Sequence, residues 1–289
     1  LPQISAVTSY THSHYYLDKD LNNKSRYSIP KNMTVCIHLN GHNITSTSQV
    51  FWQGGANSML NVMGNGIVKG SYTSEDNNYG ATMHFSSATA QASLYGGTFG
   101  KTIKSTEPTI TLEASQPKLT IYSGATICRM ENAQGAHVEI RSGSVDLRGG
   151  RILGGPNTTG YGGNIRVVSS DTYTGWPSTF TMYDGIIAGG RAKYGGNVYV
   201  YRDTGHGSKP RTFTMEGGLM YFGFAGYAMG NAGDGGNIWC GTGAVVNLNG
   251  GLVTYGKAYT SGGNIYAKGG SQVTIGGVVE NGNGNYGSK

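Results

Sequence analysis

Hydrolysis of a glycosidic bond needs two carboxyl groups, one to protonate the leaving oxygen and one to activate water or attack the sugar. The chain offers eight aspartates and seven glutamates in 289 residues, scattered and without a paired acidic motif. A lyase instead needs a Lys or Arg base, often beside calcium bridging the substrate carboxylate, and no aspartate cluster suits that ion. The densest set of reactive side chains is the stretch YRDTGHGSKPR, which holds Arg202, Asp203, His206, Lys209 and Arg211. Loops on a regular scaffold often carry function, so these five are the catalytic candidates. The same composition also describes a solvated turn. The pairs His12/His14 and His38/His42 lack acidic or cysteine partners at ligand spacing, and neither a metal nor another cofactor is expected. Cys36, Cys128 and Cys240 are odd in number and far apart in strand-like stretches, which excludes a fully paired disulfide framework and predicts buried thiols.

A second chemistry, stacking against sugar rings, is suggested by aromatic residues placed by a repeat. The phrase Gly-Gly-Asn-aliphatic recurs around Asn164, Asn197, Asn237 and Asn264, at intervals of 33, 40 and 27 residues. Period-2 alternation sends the residue after each aliphatic outward. Arg166, Tyr199, Trp239 and Tyr266 are therefore expected to line one exterior face. A companion phrase, alternating apolar residues before a glycine pair, reads FTMYDGII, FTMEGGLM, VNLNGGLV and VTIGGVV, with weaker copies SLYGGTF, LTIYSGATI and VDLRGGRI. Its outward positions give a parallel row of Tyr95, Tyr122, Arg148, Tyr183 and Glu216. Tyrosine has high β-propensity, so both rows are also what plain strand stabilisation would select.

Constant strand phrases joined by loops of variable length, with glycines at corners, predict an all-β fold: a right-handed parallel β-helix, or β-solenoid. Stacking would bury Ile165, Val198, Ile238 and Ile265 in one column and Met182, Met215, Leu248 and Ile275 in another. Asn164, Asn197, Asn237 and Asn264 would meet at one corner as an amide ladder. About eight coils are expected over residues 48–289 as one continuous domain. Residues 1–47, polar and poor in the phrases, are expected to form an N-terminal cap with the first strands, because a solenoid must cover its edge.

Fifty glycines would fit a disordered chain, but 20 tyrosines and many β-branched residues argue for a packed core. The net charge of +6 is spread without a basic block, which excludes the usual footprint of a nucleic-acid binder. No stretch approaches the roughly 20 apolar residues of a membrane helix, so no membrane insertion is expected. A basic balance instead favours attraction to acidic glycans or anionic surfaces.

The segments HSHYYLDKDL and TVCIHLNGHNIT, followed by the two glycine phrases, resemble the pectate-lyase-like β-helix regions of large secreted or wall-attached proteins of Gram-positive bacteria. The likeness covers nearly the whole chain and implies an extracellular location. Because β-helices host lyases, hydrolases and adhesins alike, it implies fold more than activity. The expectation is a non-catalytic adhesive or carbohydrate-binding module whose partners are glycans or cell-surface polysaccharide. Two alternatives accompany it: a polysaccharide lyase or glycoside hydrolase with loops 201–211 and 221–236 as cleft walls, and a structural spacer that self-associates end to end.

Overall fold

The computed structural model describes residues 11–72, 79–102, 107–130, 135–155, 160–169, 172–203, 205, 209–226 and 232–284. These residues are all β, without a helix, and every strand pair is parallel. Sixteen strands form one long sheet, nine a second and four a third. The chain returns to the sheets in turn, giving the long sheet one eleven-residue strand or two short ones, from residue 191 on also the four-stranded sheet one strand, and then the nine-stranded sheet one strand, each laid beside its predecessor. The path of the long sheet runs Thr11–Tyr16, Met33–His38, Met59–Met63, Gln91–Lys101, Lys118–Cys128, Gly143–Leu153, Ser178–Ala188, Arg211–Met215, Ala244–Leu248 and Gln272–Ile275. Eight of these ten lie beyond residue 48. Residues 11–47 supply the first two and continue the same register.

Apolar alternation decides which side of each strand is covered. In the long sheet Leu60, Ala92, Leu119, Val145, Phe180, Phe213 and Val246 stand in register and point into one core. They share it with Met83, Ile110, Val138, Ile165, Val198 and Ile238 of the nine-stranded sheet. Apart from the small Ala92, each of these side chains contributes about 1.5–3 kcal/mol by leaving water. Met182, Met215 and Leu248 form the column expected of them, whereas Ile275, on the last strand, is half exposed. Cys36 and Cys240 are buried and Cys128 is half-buried, and none is bonded to another.

The Gly-Gly-Asn corner has a steric and a polar cause. Gly195 sits at φ 61°, and a Cβ there would lie 2.0 Å from the Val198 carbonyl oxygen. Gly196 is closed off in turn by the Phe224 amide at 2.2 Å. Only glycine lets the backbone pass so close. The asparagine amides then stack: Asn164 Nδ2 donates to Asn197 Oδ1 at 2.8 Å, Asn197 to Asn237 at 2.6 Å, and Asn237 to Asn264 at 2.7 Å. Each Oδ1 also accepts a backbone N–H, from Gly155, Gly190, Gly223 and Gly256 respectively.

Candidate functional site

The nine-stranded sheet turns three-residue strands toward the core by their first and third residues, so the middle residue faces out. Register aligns these middle residues as Trp52, His84, Thr111, Glu139, Arg166, Tyr199, Trp239 and Tyr266. The last four are the row expected from the repeat, but they are not an open platform. Tyr199 and Trp239 are only 6% and 7% exposed. Their rings stack at 4.7 Å and 10°, and Tyr161, Tyr194 and Tyr201 close over them at 4.9 to 6.2 Å. The row is instead the floor of a groove.

Two walls rise beside that floor. Tyr161, Tyr194 and Asp234, each immediately before a Gly-Gly-Asn phrase, are bridged to one another along one side. Glu113, Arg141, Val168, Tyr201 and Lys268, each one or more residues after a floor strand, line the other. Two connected hollows result, sharing Tyr161, Tyr199 and Tyr201: one of about 430 Å³ around Glu113, Glu139, Arg141, Arg166 and Asp203, the other of about 400 Å³ around Tyr194, Trp239, Asp234, Tyr266 and Lys268.

The first hollow is held by an ion-pair network. Glu139, its side chain 1% exposed, accepts from Arg141 Nε at 2.6 Å and from Arg166 Nη1 at 2.6 Å, while Arg141 Nη1 reaches Glu113 at 3.5 Å. Burial would raise the Glu139 carboxyl, but the Arg166 and Arg141 guanidiniums outweigh it and hold it below its usual range. Burial and the neighbouring Tyr161 push the Tyr199 phenol up, so it stays protonated. Burial also raises Asp234, against the Ser261 N–H that it accepts at 3.1 Å. Carboxylate, guanidinium, phenol and indole groups edged around stacked rings can hold hydroxyl-rich ligands by stacking and charge-assisted hydrogen bonds.

Of the four catalytic candidates among the described residues, Asp203 reaches the groove, where its backbone N–H donates to Ser169 Oγ at 3.2 Å. Arg202 packs against Gly243. Lys209 is exposed, and Arg211 is buried with Nη1 donating to the Trp176 and Lys209 carbonyls. His206 lies outside the described residues. The loop 221–236 contributes Asp234. The second aromatic row stands on the outer face of the long sheet: Tyr95 stacks on Tyr122 at 4.5 Å, and the Arg148 guanidinium covers the Tyr183 ring at 4.0 Å.

Sequence reasoning missed Glu113, Glu139 and Arg141, as well as the wall residues Tyr161 and Tyr194. The readable signal was the apolar-x-apolar triplet (MHF, ITL, VEI) for the floor and the residue preceding each glycine pair for the wall. Comparison with family models, with curated proteins and with solved structures finds no match for the chain.

Proposed function

We propose that the parallel sheets are the faces of one right-handed β-helix, and that the protein is a non-catalytic carbohydrate-binding or adhesive module working outside the cell. The observation carrying this reading is the aromatic floor Tyr199–Trp239–Tyr266, flanked by tyrosines and edged by Arg166, Asp203, Asp234 and Lys268. Sugar rings stack on such faces while their hydroxyls meet the polar rim. A glycan array probed with the parent chain and with Tyr161→Ala/Tyr201→Ala tests it. Both rings sit on the walls, so retention on polysaccharide is expected to disappear while the melting temperature stays near the parent's. Unchanged retention, or loss only together with unfolding, overturns the proposal.

One observation favours a second reading, a polysaccharide lyase or glycoside hydrolase: Glu113, Glu139 and Asp203 share a single hollow. Against it stands the chemistry of Glu139, which two guanidiniums keep ionised and unfit as a proton donor. Incubation with acidic and neutral polysaccharides, followed by assays for unsaturated products and new reducing ends, separates the two. Turnover abolished by Asp203→Asn would replace the binding reading with the enzymatic one.

A further inference from the structure

The second hollow of the groove is built differently from the first. Where Glu113, Glu139, Arg141 and Arg166 give the first its ion pairs, the second is made mostly of rings. Trp239 forms its floor. Tyr194 and Tyr201 rise from opposite walls, tilted to the indole by 46° and 55° with ring centres at 5.7 and 6.2 Å. Tyr266 extends the floor on one side of Trp239, at 6.3 Å, and Tyr199 on the other, at 4.7 Å. Tyr194, Tyr201 and Tyr266 are partly exposed, so a ligand can reach them, and the space of about 400 Å³ is of the size that small-ligand sites have.

Charge stands at the two edges of this box. Asp234 lies on the Tyr194 wall, bridged to that residue along the backbone, and is the one carboxylate on the lining among the described residues. Burial raises its carboxyl, so it is short of solvation and gains from a cation brought alongside. The exposed Lys268 lies on the opposite wall with Tyr201. Neighbouring rings already collect cations: Lys193 Nζ lies 5.2 Å from the centre of Tyr194, and the Arg166 guanidinium 6.0 Å from that of Tyr161.

Tilted ring faces gathered beside one acid suit a cation better than a hydroxyl, which needs hydrogen-bond partners. A quaternary ammonium has no N–H to satisfy and sheds its water easily. A primary ammonium carries three donors and keeps its water unless several acceptors replace it. Lys268, across the floor from Asp234, matches an anionic group on the same ligand.

We infer that the second hollow is an aromatic cage for a zwitterionic quaternary ammonium of the phosphocholine type, carried as a substituent on the glycan that the first hollow holds. The ammonium sits among Trp239, Tyr194 and Tyr201 beside Asp234, with the phosphate toward Lys268. The inference rests on the carbohydrate reading above, and its test distinguishes the two. The intact chain is titrated calorimetrically with phosphocholine, choline and phosphoethanolamine. Phosphocholine is expected to bind at least tenfold more tightly than phosphoethanolamine, which has the same two charged groups without the methyls. Tyr194→Leu and Asp234→Asn should each weaken phosphocholine about tenfold. Tyr194→Phe, which keeps the ring, should bind like the parent and so separates loss of the cage from loss of the fold. Lys268→Ala should bring phosphocholine down to the affinity of choline. On columns, polysaccharide bearing phosphocholine should retain the chain more tightly than the bare polymer. Equal binding of phosphocholine and phosphoethanolamine, or of neither, with bare polysaccharide still retaining the chain, overturns the inference and leaves the carbohydrate reading standing. Capture by phosphatidylcholine vesicles without retention on either polymer overturns the glycan as carrier, and the carbohydrate reading with it. Binding to none of these overturns both.

Discussion

The outer faces of the two larger sheets carry side-chain rows built in the same way, yet they differ in what surrounds them. On the nine-stranded sheet, Tyr199 and Trp239 are walled in, and Glu139 is buried between Arg141 and Arg166. On the long sheet, Tyr95 and Tyr183 remain 46% and 42% exposed, and the buried Asp146 meets Lys118 at 3.1 Å and Arg148 at 3.4 Å, two cations that themselves reach solvent. Identical strand spacing therefore gives a platform in one case and a groove in the other. The difference is made by flanking residues. Short three-residue strands end in loops that rise beside the row, whereas the eleven-residue strands of the long sheet carry the chain past it flat.

This contrast can be broken by paired substitutions. Glu139→Gln removes the buried carboxylate shared by two largely buried guanidiniums and should cost about 3–5 kcal/mol in urea unfolding. Asp146→Asn, whose two cations reach solvent and can be hydrated once the carboxylate is gone, should cost less, about 1 kcal/mol. Equal losses would mean that the walls do not exclude water. Trp239→Ala should cost about 3 kcal/mol, because it removes the ring on which Tyr199 stacks. Tyr183→Ala, which loses one exposed cation–π contact, should stay below about 1 kcal/mol.

Acidity sharpens the same contrast. Burial, with Arg141 and Arg26, lowers His84 from 6.5 to about 3, so the folded chain keeps it neutral where the unfolded chain takes up a proton. Stability is then lost as pH falls from about 6.5 toward 3, by up to about 1.4 kcal/mol per pH unit. His137, lowered to about 4 by burial, adds a similar loss down to that pH. Urea midpoints measured between pH 7 and pH 5 should fall less steeply in His84→Gln; an unchanged slope would refute the assignment. The smallest effect concerns salt. Raising ionic strength should shrink the already small Asp146→Asn cost and leave the Glu139→Gln cost nearly unchanged, since screening reaches solvated pairs first.

The sequence made the parallel β architecture legible because its causes are local. The residues that cannot bear a Cβ, such as Gly195 and Gly196, and those that stack as amides recur as one phrase. The outward row was legible only where that phrase accompanies it, from Arg166 onward. Thr111 and Glu139 occupy the same position, but no glycine pair precedes their strands, so nothing in the text marks them as neighbours of Arg166. Nor does alternation state how deep an outward residue lies. Trp239 faces away from the core, as its phrase requires, yet it is covered by Tyr194 and Tyr201 from segments 45 and 38 residues upstream. The convergence of Glu113, Glu139 and Asp203 likewise depends on stacking order, since 26 and 64 residues separate them along the chain.

The asparagine column is built so that its inner members, Asn197 and Asn237, see the same surroundings. Every amide accepts from the glycine at its own corner and donates to a carbonyl, and Asn164, Asn197 and Asn237 donate to the next amide as well, the column ending among the described residues with Asn264 on the Glu280 carbonyl. Such a column is translationally invariant. A duplicated or deleted unit rejoins it without leaving any donor or acceptor stranded, whatever the length of the loop carried along. The corner's hydrogen bonding is therefore indifferent to how many units stack and to the 27 to 40 residues that separate one asparagine from the next.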